Sequence, residues 1–165
     1  MKQLVILGSG GYGHTVADVA EQLGYSILFL DDSLTGQVLS TYTSYIDDCT
    51  EFIPAFGNNE FRLSWCNRIT QAGAKLATLI HPSAYVSPKA TVALGTVILP
   101  HAIINTNVVI NRGCIVNLGA IVDHGCVIEE GIHICLGAIV KSENHLPRCV
   151  KIEAGEVVER GQYAL

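Results

Sequence analysis

Three histidines and one glycine-rich turn hold most of the chemical potential of this 165-residue chain. His124 sits in Val122-Asp123-His124-Gly125-Cys126, His133 follows nine residues later, and His101 lies upstream. Imidazole exchanges protons near neutral pH, so a histidine held in a groove is a ready general base. Zinc needs three converging ligands, and these histidines include no short-spaced pair, so no metal is expected. The turn is Gly8-Ser9-Gly10-Gly11-Tyr12-Gly13, a GxGxxG. Its glycines let backbone amides approach a ligand closely, and the helix that follows offers its N-terminus to phosphate. Asp31 and Asp32 close the next apolar segment and can accept hydrogen bonds from a ribose or a base.

The elements that must position this turn read as a βαβ unit. Residues 2–7 (KQLVIL) form an apolar strand, a helix follows from about His14 to Leu23, and Ser26–Leu30 is a second strand. Residues 33–52 are polar and read as an irregular connection. Phe52–Phe56 is a third strand ending in Gly57-Asn58-Asn59, and residues 59–71 are helical, with Phe61, Trp65 and Ile69 as a core stripe. Lys75–Leu79 is a fourth strand. This domain, residues 1–79, is a small Rossmann-like α/β sheet. A dinucleotide dehydrogenase is disfavoured, because its fold needs two such halves and the chain has room for one.

From Ile80 the pattern changes. Every sixth residue, from Ile80 through Val86, Val92 and Ile98 to Val158, is Ile, Val or Leu, fourteen times without a break. Composition alone would fill about four of those positions. A period of six is the mark of a parallel β-helix, in which three strand-and-corner units close one triangular coil. Four residues after each aliphatic stand slim side chains such as Ala102, Cys114, Ala120, Cys126 and Ala138, and three after stand corner glycines such as Gly113, Gly119, Gly125 and Gly131. Residues 80–165 are therefore expected to form a β-helix, short at its C-terminal end. The row Ile103, Val109, Ile115, Ile121, Val127 and Ile139 points outward and is too apolar for water. Three-fold packing of prisms would bury it, so a homotrimer is expected.

The formal net charge of −5 argues against a nucleic-acid surface, and no apolar run reaches membrane-spanning length. Six cysteines without CxxC spacing read as free thiols in a reducing cytosol, and no signal peptide is apparent.

The order GSGGYG, LDD, AFGNN, IHPSA, NLGAIVDHGC and HICLGA resembles the NeuD/PglD-like bacterial sugar O-/N-acetyltransferases along nearly the whole chain. The resemblance implies a left-handed β-helix and a trimeric enzyme that moves acetyl from acetyl-CoA to the amine of a nucleotide-linked amino sugar. It implies His124 as the general base, His133 at the acetyl-CoA thioester, and Gly10, Gly11, Tyr12, Asp31, Asp32 and Gly57 around the nucleotide sugar. Three features depart from the family. Tyr12 stands where the family usually has His, Gly125 stands where an Asp or Glu follows the base, and few coils follow His124 to cradle CoA. Residues eighteen apart stack, so Glu143 stands over Gly125 and is a candidate replacement carboxylate. A sialic-acid-type O-acetyltransferase and a non-catalytic sugar-nucleotide-binding trimer are the alternatives.

Overall fold

In the computed structural model, which describes residues 2–164, a four-stranded parallel sheet is followed by a three-sided prism. The sheet strands are β1 (Gln3–Leu7), β2 (Ser26–Leu30), β3 (Thr50–Pro54) and β4 (Lys75–Leu76), in the order β2-β1-β3-β4. Leu4 to Leu7 are fully buried, as expected of a central parallel strand covered on both faces. Alternation along β1 divides the work. Leu4 and Ile6 pack with Val16, Ala17 and Ala20 of α1 (Gly11–Gln22), while Val5 and Leu7 pack with Leu63, Trp65 and Ile69 of α2 (Asn59–Gln71). Asn58 caps α2 by accepting a hydrogen bond from the Phe61 amide at 2.8 Å.

Several boundaries differ from the sequence expectation. α1 begins at Gly11 rather than near His14, because Gly10 acts as its N-cap and the glycines wind into its first turn. The connection after β2 contains a 3-10 helix, Leu39–Tyr45. The segment expected as one strand over 75–79 splits: β4 ends at Leu76, and Leu79–Ile80 pairs instead with Val97–Ile98. Trp65 and Ile69 are core, but Phe61 is 44% exposed and stacks edge-on against Phe56.

The prism consists of fourteen two-residue strands, β5 (Leu79–Ile80) to β18 (Val157–Val158), each ending on one of the fourteen periodic aliphatics. They stack into three parallel faces. The first face carries Leu79, Val97, Ile115, His133 and Lys151 outward, the second Tyr85, Ile103, Ile121, Ile139 and Val157, and the third Thr91, Val109, Val127 and His145. From Ile98 to Val158 all the inward aliphatics are fully buried, while Ile80, Val86 and Val92 are partly exposed at the open end.

The other end is closed from within by a polar side chain. Asn144 occupies an interior slot and donates to the carbonyls of Lys141 (2.8 Å) and Glu159 (2.9 Å). Its oxygen accepts from the Tyr163 amide (2.9 Å), and Tyr163 packs against the prism core.

The outward apolar row also needs correction. Ile115 is fully buried within its own chain. It lies in the column of Leu79 and Val97, which pack against Leu4, Ile6 and Val16 of the α/β domain. Only the residues on the second and third faces face solvent, with Ile103 39% and Val109 37% exposed.

Candidate functional site

The carboxyl ends of β1, β2 and β3 carry the three segments singled out in the α/β domain. Strand order reverses between β1 and β3, and ligands of open α/β sheets bind at such a switch point. Gly8 lies there with φ +108°, and a Cβ on it would meet Ala55 O and the Phe56 ring at 3.0 Å. Gly13 is obligatory for a different reason: its Cβ would fall 2.1 Å from Gly8 O. Gly10, Gly11 and Gly57 border open space. Gly10 has no side chain to cap α1, so the first amides of the helix receive no side-chain acceptor and suit an anion.

The acidic pair is partly committed to shaping this edge. Asp31 accepts from the Ser9 amide at 2.7 Å and from the Ser33 amide and hydroxyl at 2.9 and 2.7 Å. Those donors, Ser9 first, hold its carboxyl well below the usual range. Asp32 accepts from the Leu39 amide at 2.9 Å. Tyr12 turns inward: its ring packs with the cluster around Leu79 and Val97, and its hydroxyl is buried with no partner among the described residues. Its backbone, not its phenol, therefore faces the crevice.

On the prism, His124 occupies the exposed corner between the second and third faces. Its ring has no hydrogen-bond partner among the described residues. Asp123 binds the His124 backbone amide (2.7 Å) and Asn105 Nδ2 (2.9 Å) rather than the ring. Glu143 does stack over Gly125, whose Cβ would lie 3.8 Å from Glu143 Cγ. Its carboxylate, however, turns to Arg160 Nε at 3.0 Å. Within one chain Glu143 therefore does not orient the His124 imidazole.

His133 opens a strand of the first face, so one prism does not bring it beside His124. Asn117 fixes its tautomer. The Asn117 oxygen accepts from the Leu118 amide at 2.8 Å, which leaves the Asn117 amide nitrogen to donate to His133 Nε2 at 3.0 Å. The ring proton is then on Nδ1, a buried donor with no partner among the described residues. Burial, followed by the nearby Arg62 and Lys151 charges, depresses the His133 pKa to about 4, so the ring is neutral at pH 7.

Sequence reading missed Arg62. It is 1% exposed and donates to Gly113 O (2.9 Å), Phe56 O (2.9 Å), Asn59 Oδ1 (2.9 Å) and Gly131 O (2.8 Å). Its place in GNNEFR beside the capping asparagine was the available signal. A cavity of about 450 Å³ lined by Lys2, Leu23, Gly24, Tyr25, Thr78 and Ile80 lies at the amino-terminal edge of the sheet, away from the glycine turn. Among the described residues no three His, Cys, Asp or Glu side chains converge on a metal position, and no helix is long and apolar enough to cross a membrane.

A model of the PglD N-terminal domain matches residues 3–69. The acetyltransferase domain of PglB from Neisseria gonorrhoeae FA1090 superposes with a TM-score of 0.91 at 32% identity, covering 98% of this chain and 84% of that one. The chain belongs to the PglD/PglB family of acetyltransferase domains. A second structure of that PglB domain, in complex with acetyl coenzyme A, matches this PglD-type chain with a TM-score of 0.90 at 32% identity, covering 98% of this chain and 83% of that one. UDP-N-acetylbacillosamine N-acetyltransferase of Bacillus subtilis (strain 168) is 32% identical over 113 residues, 60% of this chain and 52% of the relative. The match thus spans about half the length of that curated relative. GDP-perosamine N-acetyl transferase from Caulobacter crescentus shares the fold, with a TM-score of 0.83 at 24% identity over 97% of this chain and 90% of that one.

Proposed function

We propose that this PglD-type chain transfers acetyl from acetyl-CoA to the amine of a nucleotide-linked amino sugar, with His124 as general base. The observation that carries the proposal is the 32% identity, along 98% of the chain, to a PglB domain whose acetyl coenzyme A complex is known. The Bacillus subtilis relative, named as an N-acetyltransferase on a UDP-linked sugar, supports the acceptor class.

The chemistry follows from the groups available. A sugar amine attacks the thioester carbonyl, a C–N bond forms, the C–S bond breaks, and CoA leaves as the thiol. The attacking amine must lose a proton, and the free ring of the exposed His124 can take it. His133 is neutral at pH 7, so the acetyl-CoA thioester region that the family resemblance assigns to it would meet an uncharged ring. The α1 N-terminus and Gly57 border the space for the nucleotide diphosphate, with Asp31 and Asp32 at the nucleoside end. The apolar columns of the second and third faces support a homotrimer, which would bring the corner of one prism against a neighbour.

The test is thiol release from acetyl-CoA with a panel of 4-amino nucleotide sugars, comparing wild type with His124→Ala. Sugar-dependent release lost in the variant is expected. Absence of acetyl-CoA binding by calorimetry would replace this reading with that of a non-catalytic sugar-nucleotide-binding subunit.

A further inference from the structure

Arg62 is the one fully buried charged side chain in the described core, and its four close acceptors are neutral oxygens. A fifth, longer contact runs to Ile132 O at 3.4 Å. These acceptors belong to two different places. Phe56 O immediately precedes Gly57 at the lip of the nucleotide crevice, and Phe56 itself touches the Gly8 turn. Gly113 O, Gly131 O and Ile132 O lie on the prism, the last two directly before His133. Asn59 links the same helix to the next coil, donating to Cys149 O at 2.9 Å and Val150 O at 3.2 Å. A planar guanidinium offers five donors in a fixed fork, and a lysine ammonium at the same site cannot span both sets of acceptors.

We infer that Arg62 is a positioning residue for the transfer reaction: one guanidinium sets the distance between the nucleotide crevice and the prism segment that carries His133. The inference rests on the proposed acetyltransferase reading. Two substrates held on separate domains react only when their approach is fixed, and misplacement of about 1 Å costs about a hundredfold in rate. The nearby Arg62 charge, second to burial, also helps keep His133 neutral, so the same residue touches both the geometry and the electrostatics of that segment.

The experiment compares Arg62→Lys with Arg148→Ala, which removes only the exposed pair between α2 and the prism (Arg148–Glu60, 3.1 Å). Thermal melting confirms that each variant is folded. In Arg62→Lys, kcat should fall about 10- to 100-fold, while the Kd values of UDP and acetyl-CoA measured singly stay within about threefold. Arg148→Ala should keep kcat within about twofold. Equal losses in the two variants, or an unchanged kcat in folded Arg62→Lys, would overturn the inference. Hydrogen exchange provides a second reading without catalysis. In wild type, UDP should protect both the 8–13 turn and the amides of 131–133, and in Arg62→Lys only the turn. Protection of the turn alone in wild type overturns the inference but leaves the functional reading standing; protection of neither, with UDP or with GDP, overturns both.

Discussion

Replacing Asn117 with Asp should turn His133 from a neutral hydrogen-bond donor into a titrating imidazolium. In the native site the Asn117 amide nitrogen points at His133 Nε2 from 3.0 Å, and its oxygen is held by the Leu118 amide. A carboxylate of the same shape puts an acceptor where Nε2 needs a donor. Nε2 must then carry a proton, by transfer from the unpartnered Nδ1 or by uptake of a second proton, and the carboxylate's charge favours uptake. A carboxylate within about 4–6 Å typically raises a histidine pKa by about 1–3 units. From about 4, the His133 pKa should therefore rise to about 5–7. Long-range 1H–15N correlation spectra across pH read both the tautomer and the pKa. A wild-type ring protonated on Nε2, or an Asn117→Asp ring that still titrates near 4, would refute the reasoning.

The same depression fixes the sign of a stability effect. The folded His133 pKa lies below the unfolded value near 6.5, so between about pH 4 and 6.5 the unfolded chain binds more protons. Native stability should fall as pH drops through that window and be unaffected by this group above it. The ring is only partly buried, so solvent screening reduces the contribution to about 1–2 kcal/mol. His133→Asn should remove that part of the acid sensitivity in urea titrations.

His124→Ala should lower kcat about 10²- to 10⁴-fold with no change in melting temperature, because the ring makes no bond within the chain. Glu143→Gln should keep activity within about threefold, since its carboxylate is occupied by Arg160 on the surface; a loss above about tenfold in steady-state assays would mean that a neighbouring subunit redirects it. Gly119→Ala should cost about 1–2 kcal/mol for its left-handed backbone alone, with φ +65° and open space around it. Gly131→Ala adds a Cβ only 2.9 Å from Cys149 Sγ and 3.2 Å from Leu63 Cδ2, so it should cost about 1–3 kcal/mol more in matched denaturation curves.

The six-residue period made the prism legible to the strand, because one inward aliphatic per unit is a physical requirement of the coil: every expected position ends an observed strand. The βαβ order was legible for a similar reason, as the apolar runs and the glycine turn specify it locally. Which outward residues meet solvent was not. Ile115 and Ile121 sit in identical local patterns, yet one is fully buried and the other partly exposed, because only one column lies under α1 and the sheet. Asp31 and Asp32 were legible as neighbours of the turn, but their commitment to Ser9, Ser33 and Leu39 depends on loop geometry that the dipeptide does not encode. Arg62 was hidden because a single arginine in a helix ordinarily reads as solvated.

The contacts of α2 explain why that arginine can serve two domains. The helix runs along the prism corner between the third and first faces. Asn59 meets the coil at Cys149, Arg62 and Leu63 the coils at Gly131 and Gly113, Asn67 the coil at Arg112, and Cys66 the coils at Gly113 and Gly95. One helical turn rises about 5.4 Å and one coil about 4.8 Å, so helix and prism stay in step with a drift of about 0.6 Å per turn. Residues three or four apart in α2 therefore reach positions eighteen apart in the prism, and the drift lets a side chain straddle two coils, as Arg62, Leu63 and Cys66 each do. The corner must present glycines there: at Gly95, Gly113 and Gly131 a Cβ would come within 3.3 Å of Cys66, Leu63 or Cys149. This commensurate packing makes the α/β domain and the first face a single rigid unit. A shift of the crevice relative to His133 then requires α2 to slip by a whole coil or the Arg62 fork to open.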